Sequence, residues 1–185
     1  MFAYCGNNPV NLVDCSGKYP TLFDENPYDE AVRKFGQWLG ERLKEDIDRL
    51  NDDEKTDEEK ALECNIFSIY KGVLVIRAPI GRMAGSFGFI VLGEKIDSTS
   101  AGEDVLKHEY GHYLHLQDIG TVHYTITVVI PSTTGATLNL FGLLNCDYYS
   151  LPWEYIADLY GGVERSTYES WTEAVAEYYW TYWGT

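Results

Sequence analysis

An α+β fold is predicted for this chain, with a small, mostly antiparallel sheet packed on helices. Three observations point to it. Residues 27–50 repeat apolar side chains at helical spacing. Residues 65–96 are rich in β-branched and aromatic side chains, punctuated by glycine. Beyond residue 100 most of the patterning is helical again. At 185 residues the chain suits one domain that buries its own core without disulfides.

The elements follow in order. Residues 1–19 read as an irregular tail, because Gly6, Asn7, Asn8, Pro9, Asn11, Asp14, Ser16 and Gly17 are turn formers. The domain proper spans residues 20–185. Asn26-Pro27 opens a helix, Asp29 and Glu30 suit its N-terminal end, and Val32, Phe35, Trp38, Leu39 and Leu43 form its apolar stripe to about Leu50. The charge run Asn51–Lys60 is a solvated connection, in which Thr56 and Glu59 are spaced to cap a short helix. "IFSIYKGVLVIRAPI" and "GFIVLGEKI" give two or three strands. A helix over Ala101–Asp118 follows, then a short strand over Tyr124–Ile130 and an apolar helix over about Thr134–Leu144. Two last helices lie near Pro152–Tyr160 and Tyr168–Tyr182.

The formal net charge of −15 argues against a nucleic-acid partner, which needs a basic stripe, and against anionic membranes. No secretory signal is expected, since Met1–Val10 lacks a basic start and an apolar run. Cys5, Cys15, Cys64 and Cys146 show no C-x-x-C spacing and are read as mostly free thiols. Ile119–Cys146 contains no Asp, Glu, Lys or Arg, but its threonines and Pro131 favour a buried strand, turn and helix over a membrane span.

The segment "VLKHEYGHYLHLQ" carries the chemistry. His108-Glu109-Tyr110-Gly111-His112 is an H-E-x-x-H motif. On a helix, residues four apart lie about 40° apart around the axis, so both imidazoles can grip one zinc ion. Glu109 falls on the flank of that face, within reach of a water at the metal. Leu106, Tyr110, Tyr113 and Leu114 form the opposite, core-facing stripe, and the small Gly111 leaves room for a close neighbour. Zinc needs a third protein ligand. Two later carboxylate pairs compete, Glu154 with Asp158 and Glu173 with Glu177, each four residues apart.

This extended motif resembles the zincin metallopeptidases. The resemblance implies a zincin-like fold, bound Zn2+, hydrolysis of a peptide or protein substrate, and Glu109 as general base. It also implies a metal set of His108, His112 and Glu154. The sequence Glu154-x-x-Ala157-Asp158-x-x-Gly161-Gly162 is similar to the ligand helix of the glutamate type, in which the Asp bonds the free ring nitrogen of the first His. Glu173 stays open as the competing ligand. His115 lies one turn beyond His112 and is read as a cleft or surface residue, and His123 as structural. Tyr and His residues near the cleft are candidates for an oxyanion donor, His115 and His123 among them. Phe87–Gly93 is read as an edge strand along which an extended substrate could lie.

The tail segment "YCGNNPVNLVDCSGK", Tyr4–Lys18, resembles the end of the core shell of Rhs/YD-repeat proteins at Asn7, Asn8, Pro9, Asp14 and Gly17, with Cys15 where that family carries Pro. That resemblance implies a toxin effector, secreted or delivered into a target cell within a larger carrier, and a cognate immunity protein as partner. Two other readings stand beside the peptidase: a membrane-inserting toxin with structural zinc, and a non-catalytic binding module of the same fold.

Overall fold

A computed structural model describes residues 27–183. The expected tail, the Rhs-like junction, Cys5 and Cys15 lie outside the described residues. Two compact units divide within the first helix, at residues 1–42 and 43–185. Helix α1 spans Pro27–Leu50, as its stripe predicts, and in the first unit Phe35 stacks on Trp38 at 5.8 Å. The second unit carries everything else.

In that unit, Asp46 is buried near the end of α1. It accepts hydrogen bonds from the backbone N–H groups of Asn65, Ile66 and Phe67 at 2.7, 2.8 and 3.0 Å, and from Arg49 at 2.8 Å. Burial works against its charge, yet these donors hold its carboxyl below the usual range. Asp46 thereby fixes where the sheet begins. Helix α2, Asp57–Leu62, starts at the expected capping box of Thr56 and Glu59.

The sheet has four strands: β1 Phe67–Tyr70, β2 Val73–Ala78, β3 Ala84–Ser86 and β4 Ile90–Gly93, in spatial order β1-β2-β4-β3. Lys71 and Gly72 both take positive φ, 48° and 83°, which suits the two-residue turn joining β1 to β2. β1–β2 and β3–β4 pair antiparallel, but β2–β4 pair in parallel. The sheet is therefore mixed. β4, expected at an edge within Phe87–Gly93, lies in the interior, and β3 takes the edge. Pairing order is a tertiary property that strand composition does not encode. Arg77 ties the sheet to its surroundings through the carbonyls of Leu62, Cys64, Gly93 and Ile96.

Helix α3, Ser100–Ile119, begins at Thr99, whose hydroxyl accepts from the N–H of Gly102. Its Leu106 enters a core with Tyr70, Val73, Val75, Ile90 and Leu92, and Tyr110 and Tyr113 pack against the same cluster. One face of α3 thus anchors on the sheet and the opposite face is free to carry chemistry.

The expected strand at Tyr124–Ile130 is helical instead. α4 (Thr121–Tyr124), a π-helical turn (Thr125–Val129) and α5 (Ile130–Leu140) follow one another, so the helix also starts before the expected Thr134. Burial decides against the β-branched composition: Tyr124, Thr127 and Val128 are buried at helical spacing, with Tyr124 and Val128 packing on Leu116. The stretch is also less buried than expected, since Val122, Ile126, Ile130, Leu140, Phe141 and Leu143 are exposed. No described helix is long and apolar enough to cross a membrane.

Helices α6, Pro152–Gly161, and α7, Thr172–Trp183, complete the fold. α6 ends at Gly162, whose φ of 73° is the left-handed cap that glycine adopts without strain. α3 and α6 lock together by reciprocal glycines. A Cβ on Gly111 would overlap the Ala157 carbonyl, and one on Gly161 would overlap the Lys107 carbonyl. Gly111→Ala therefore sets two effects against each other. Helix propensity favours Ala by about 1 kcal/mol. Backbone overlap costs about 1–3 kcal/mol or more, since a carbonyl cannot rotate away as a side chain can. The overlap is expected to win, lowering the melting temperature by about 2–4 °C for each net kcal/mol. An unchanged or higher melting temperature would show that the two helices tolerate wider spacing.

Candidate metal centre

All four histidines of the chain lie between residues 108 and 123, on α3 and α4. α3 turns His108 and His112 away from the sheet, toward α6. The close helix contact at Gly111 and Ala157 brings Glu154 of α6 up to them. His108 Nε2 lies 3.1 Å and His112 Nε2 3.2 Å from Glu154 Oε2. All three side chains are buried, with ligand-type atoms within 4.8 Å of one another, and the group can hold a metal ion. A tetrahedral ion with bonds of about 2.0–2.1 Å has neighbouring ligand atoms about 3.3 Å apart, close to the spacing here.

Each candidate ligand has its own supporting bond. His108 Nδ1 donates to Asp158 Oδ1 at 2.7 Å. His112 Nδ1 bonds the Tyr124 hydroxyl at 2.9 Å. The Tyr148 hydroxyl donates to Glu154 Oε1 at 2.7 Å and meets Ser132 Oγ at 2.8 Å. When both rings carry their proton on Nδ1, two nitrogen lone pairs and a carboxylate oxygen face one another. A cation at their centre reconciles them, which is a direct test that these residues fit a metal.

Without a metal, a proton takes the central place. In the metal-free site, burial opposes a charged His108, but its bonds to Asp158 and Glu154 prevail and raise its pKa to about 10. Burial likewise opposes an ionised Glu154, yet the adjacent His112 and His108 hold its carboxyl well below the usual range. Without a metal, Glu154 is thus charged and paired with a protonated His108, and a metal bound at Nε2 would displace that proton. Asp158 is fully buried and also accepts from Arg165 Nε at 2.8 Å, Arg165 Nη2 at 3.1 Å and Tyr168 at 2.8 Å. Arg165 in turn sits 3.8 Å over the Tyr149 ring, which meets His108 edge-on at 5.2 Å.

Glu109 is 6% exposed, and its Oε2 has no hydrogen-bond partner. Burial raises its carboxyl above the ordinary range, partly offset by His108 and His112. It stands beside the candidate ligands without joining them, as its place on the flank of the helix predicts.

Glu173 and Glu177 do not join the cluster; they line a cleft with Tyr155 and Trp180. His115 is neither a cleft nor a surface residue. It is 1% exposed, enclosed by Tyr124, Tyr160 and Trp180. His123 borders a groove with Val122 and Ile126. Of the expected Tyr and His oxyanion donors, Tyr148 bonds Glu154 and Tyr149 meets His108 edge-on, while His115 is enclosed by rings and His123 borders a separate groove. Tyr124, Tyr148 and Arg165 escaped sequence reasoning, since no spacing rule ties them to the motif. Cys64 and Cys146 are free thiols, in keeping with the absence of C-x-x-C spacing. No protein-family model, curated protein or solved structure matches the chain.

Proposed function

We propose that the chain is a zinc-dependent metallopeptidase, with His108, His112 and Glu154 as metal ligands and Glu109 as general base. The observation that carries this is the pairing of a convergent His-His-Glu set with a buried carboxylate beside it, one oxygen of which has no partner. A zinc ion held there would lower the pKa of water to about 7 and polarise a carbonyl.

The residues divide the work. His108 and His112 would hold the metal through Nε2, and Glu154 through Oε2. Asp158, Tyr124 and Tyr148 orient them one by one, and fixed orientation of metal ligands raises affinity. Arg165 and Tyr168 hold Asp158 in turn. Glu109 takes a proton from the attacking water at Oε2 and carries it to the departing amine. Burial of the cluster limits competing bulk water. Zinc is favoured over magnesium or calcium because two imidazoles and one carboxylate suit it, while the hard cations take oxygen ligands. The tail's likeness to Rhs shells supports delivery as the effector part of a larger carrier, with a cognate immunity protein as partner.

Zinc-loaded protein incubated with a mixed peptide library is expected to yield new amino termini by mass spectrometry, and a zinc chelator is expected to stop the cleavage. Bound zinc with no cleavage across the library would favour the non-catalytic binding module.

One observation favours the membrane reading. The uncharged stretch exposes Val122, Ile126 and Ile130, four residues apart on one helical face. Thr125, Thr133, Thr134 and Thr137 bond their hydroxyls to carbonyls one turn back, so little polar capacity is left facing outward. Leakage of neutral liposomes by the intact chain would support that reading.

A further inference from the structure

Glu173 and Glu177 lie four residues apart on α7, on one helical face. They border a cleft of about 430 Å³ whose other walls include Tyr155, Leu159 and Tyr160 of α6 and Trp180 of α7. We propose that this cleft binds an organic cation of the guanidinium or ammonium class, as an arginine or lysine side chain of a polypeptide presents it. The cleft lies on a different face of α6 from the candidate metal ligand, since Tyr155 is about 100° around the axis from Glu154.

The walls have the chemistry for this ligand. Aromatic faces attract cations through their quadrupole, and Trp and Tyr do so best. Tyr160 and Trp180 stand 6.0 Å apart, inclined at 53°. Both rest on the ring of His115, stacked at 5.4 Å and tilted at 5.3 Å. Burial depresses the His115 pKa to about 4, so this backing ring is neutral and does not repel a cation. Both of its nitrogens are buried without a hydrogen-bond partner, an otherwise costly state for a residue behind a cleft. The Tyr160 hydroxyl is pinned by Asp118 at 2.5 Å. These rings are therefore set before any ligand arrives, which lowers the entropy cost of binding.

The carboxylates supply charge. Burial raises the Tyr155 pKa, and the neighbouring Glu173 carboxylate at the rim adds to that rise. Among the described residues neither Glu173 nor Glu177 forms an ion pair with a lysine or arginine. The chain's net charge of −15 draws cations toward it. A guanidinium fits better than an ammonium here, because its flat face stacks on the rings while its edge meets the carboxylates.

The inference does not depend on the peptidase reading, and its test needs neither zinc nor turnover. Nα-acetyl-arginine methylamide and its uncharged citrulline counterpart are mixed in one tube with the intact chain. Saturation-transfer NMR then compares them. A saturable millimolar signal is expected for the arginine compound, with the citrulline compound about five- to tenfold weaker. The double substitution Glu173→Gln with Glu177→Gln, at two exposed positions, should bring arginine down to the citrulline level with the melting temperature unchanged. The single Glu177→Gln should give an intermediate loss and serves if the double variant is unstable. Equal signals from the two compounds, no saturable arginine signal at tens of millimolar, or unchanged preference in a folded variant would each overturn the assignment.

Discussion

Glu109→Gln is expected to cut peptide hydrolysis by about 10²–10⁴-fold, the usual contribution of a positioned acid–base group. In barrier terms that is about 2.7–5.5 kcal/mol. The substitution keeps the size of the side chain and removes only its basicity. Zinc content is expected to stay at the wild-type level, because Glu109 lies beside the candidate ligands and not among them. The variant should also melt no lower than wild type. Glu109 is buried with one oxygen unpartnered, and a neutral amide costs less to bury than a carboxylate. Toxicity on expression should fall along with hydrolysis. A variant as toxic as wild type, with zinc retained and equal expression, would instead favour the membrane-active or non-catalytic alternatives.

The second large effect concerns the metal. His108→Ala, His112→Ala and Glu154→Ala are each expected to strip zinc, since each leaves only two of three protein ligands. Glu173→Ala is expected to leave zinc content unchanged, because its carboxylate faces the α6–α7 cleft. Between these extremes lie the orienting residues. Asp158→Ala and Tyr124→Phe should each weaken zinc affinity by about 10- to 100-fold. Asp158→Ala should be the harsher, because it also leaves Arg165 and Tyr168 without their shared acceptor. Competition against a colorimetric chelator measures the whole series. Loss of zinc in Glu173→Ala with retention in Glu154→Ala would reverse the assignment.

Much of this site is written locally. The four-residue spacing of His108 and His112 sets both on one helical face whatever the surrounding fold. Glu154 and Asp158 repeat that spacing, and Ala157 and Gly161 mark a helix built for close approach, which the interlock with Gly111 and Lys107 displays. The capping box at Thr56 and the span of α1 are equally local. Other features depend on partners distant in sequence. Tyr124 supports His112 only because its segment coils into a helix, whereas β-branched composition argues for a strand. Tyr148 reaches its partner from a short 3-10 turn, Tyr148–Ser150, and Arg165 from the loop after α6. His115 differs from His108 and His112 not in its own sequence position but in what surrounds it: rings from α4, α6 and α7 close over it. The interior place of β4 rests on its parallel pairing with β2, which no feature of either strand announces.

Joint binding of one zinc ion by His108, His112 and Glu154 is open to direct measurement. Elemental analysis of the intact chain, purified without a metal-affinity column, tests it most directly. Close to one zinc per chain is expected in the wild type, and almost none in Glu154→Ala. Protein that retains full peptidase activity with no metal bound, or that keeps its zinc in Glu154→Ala, would contradict it.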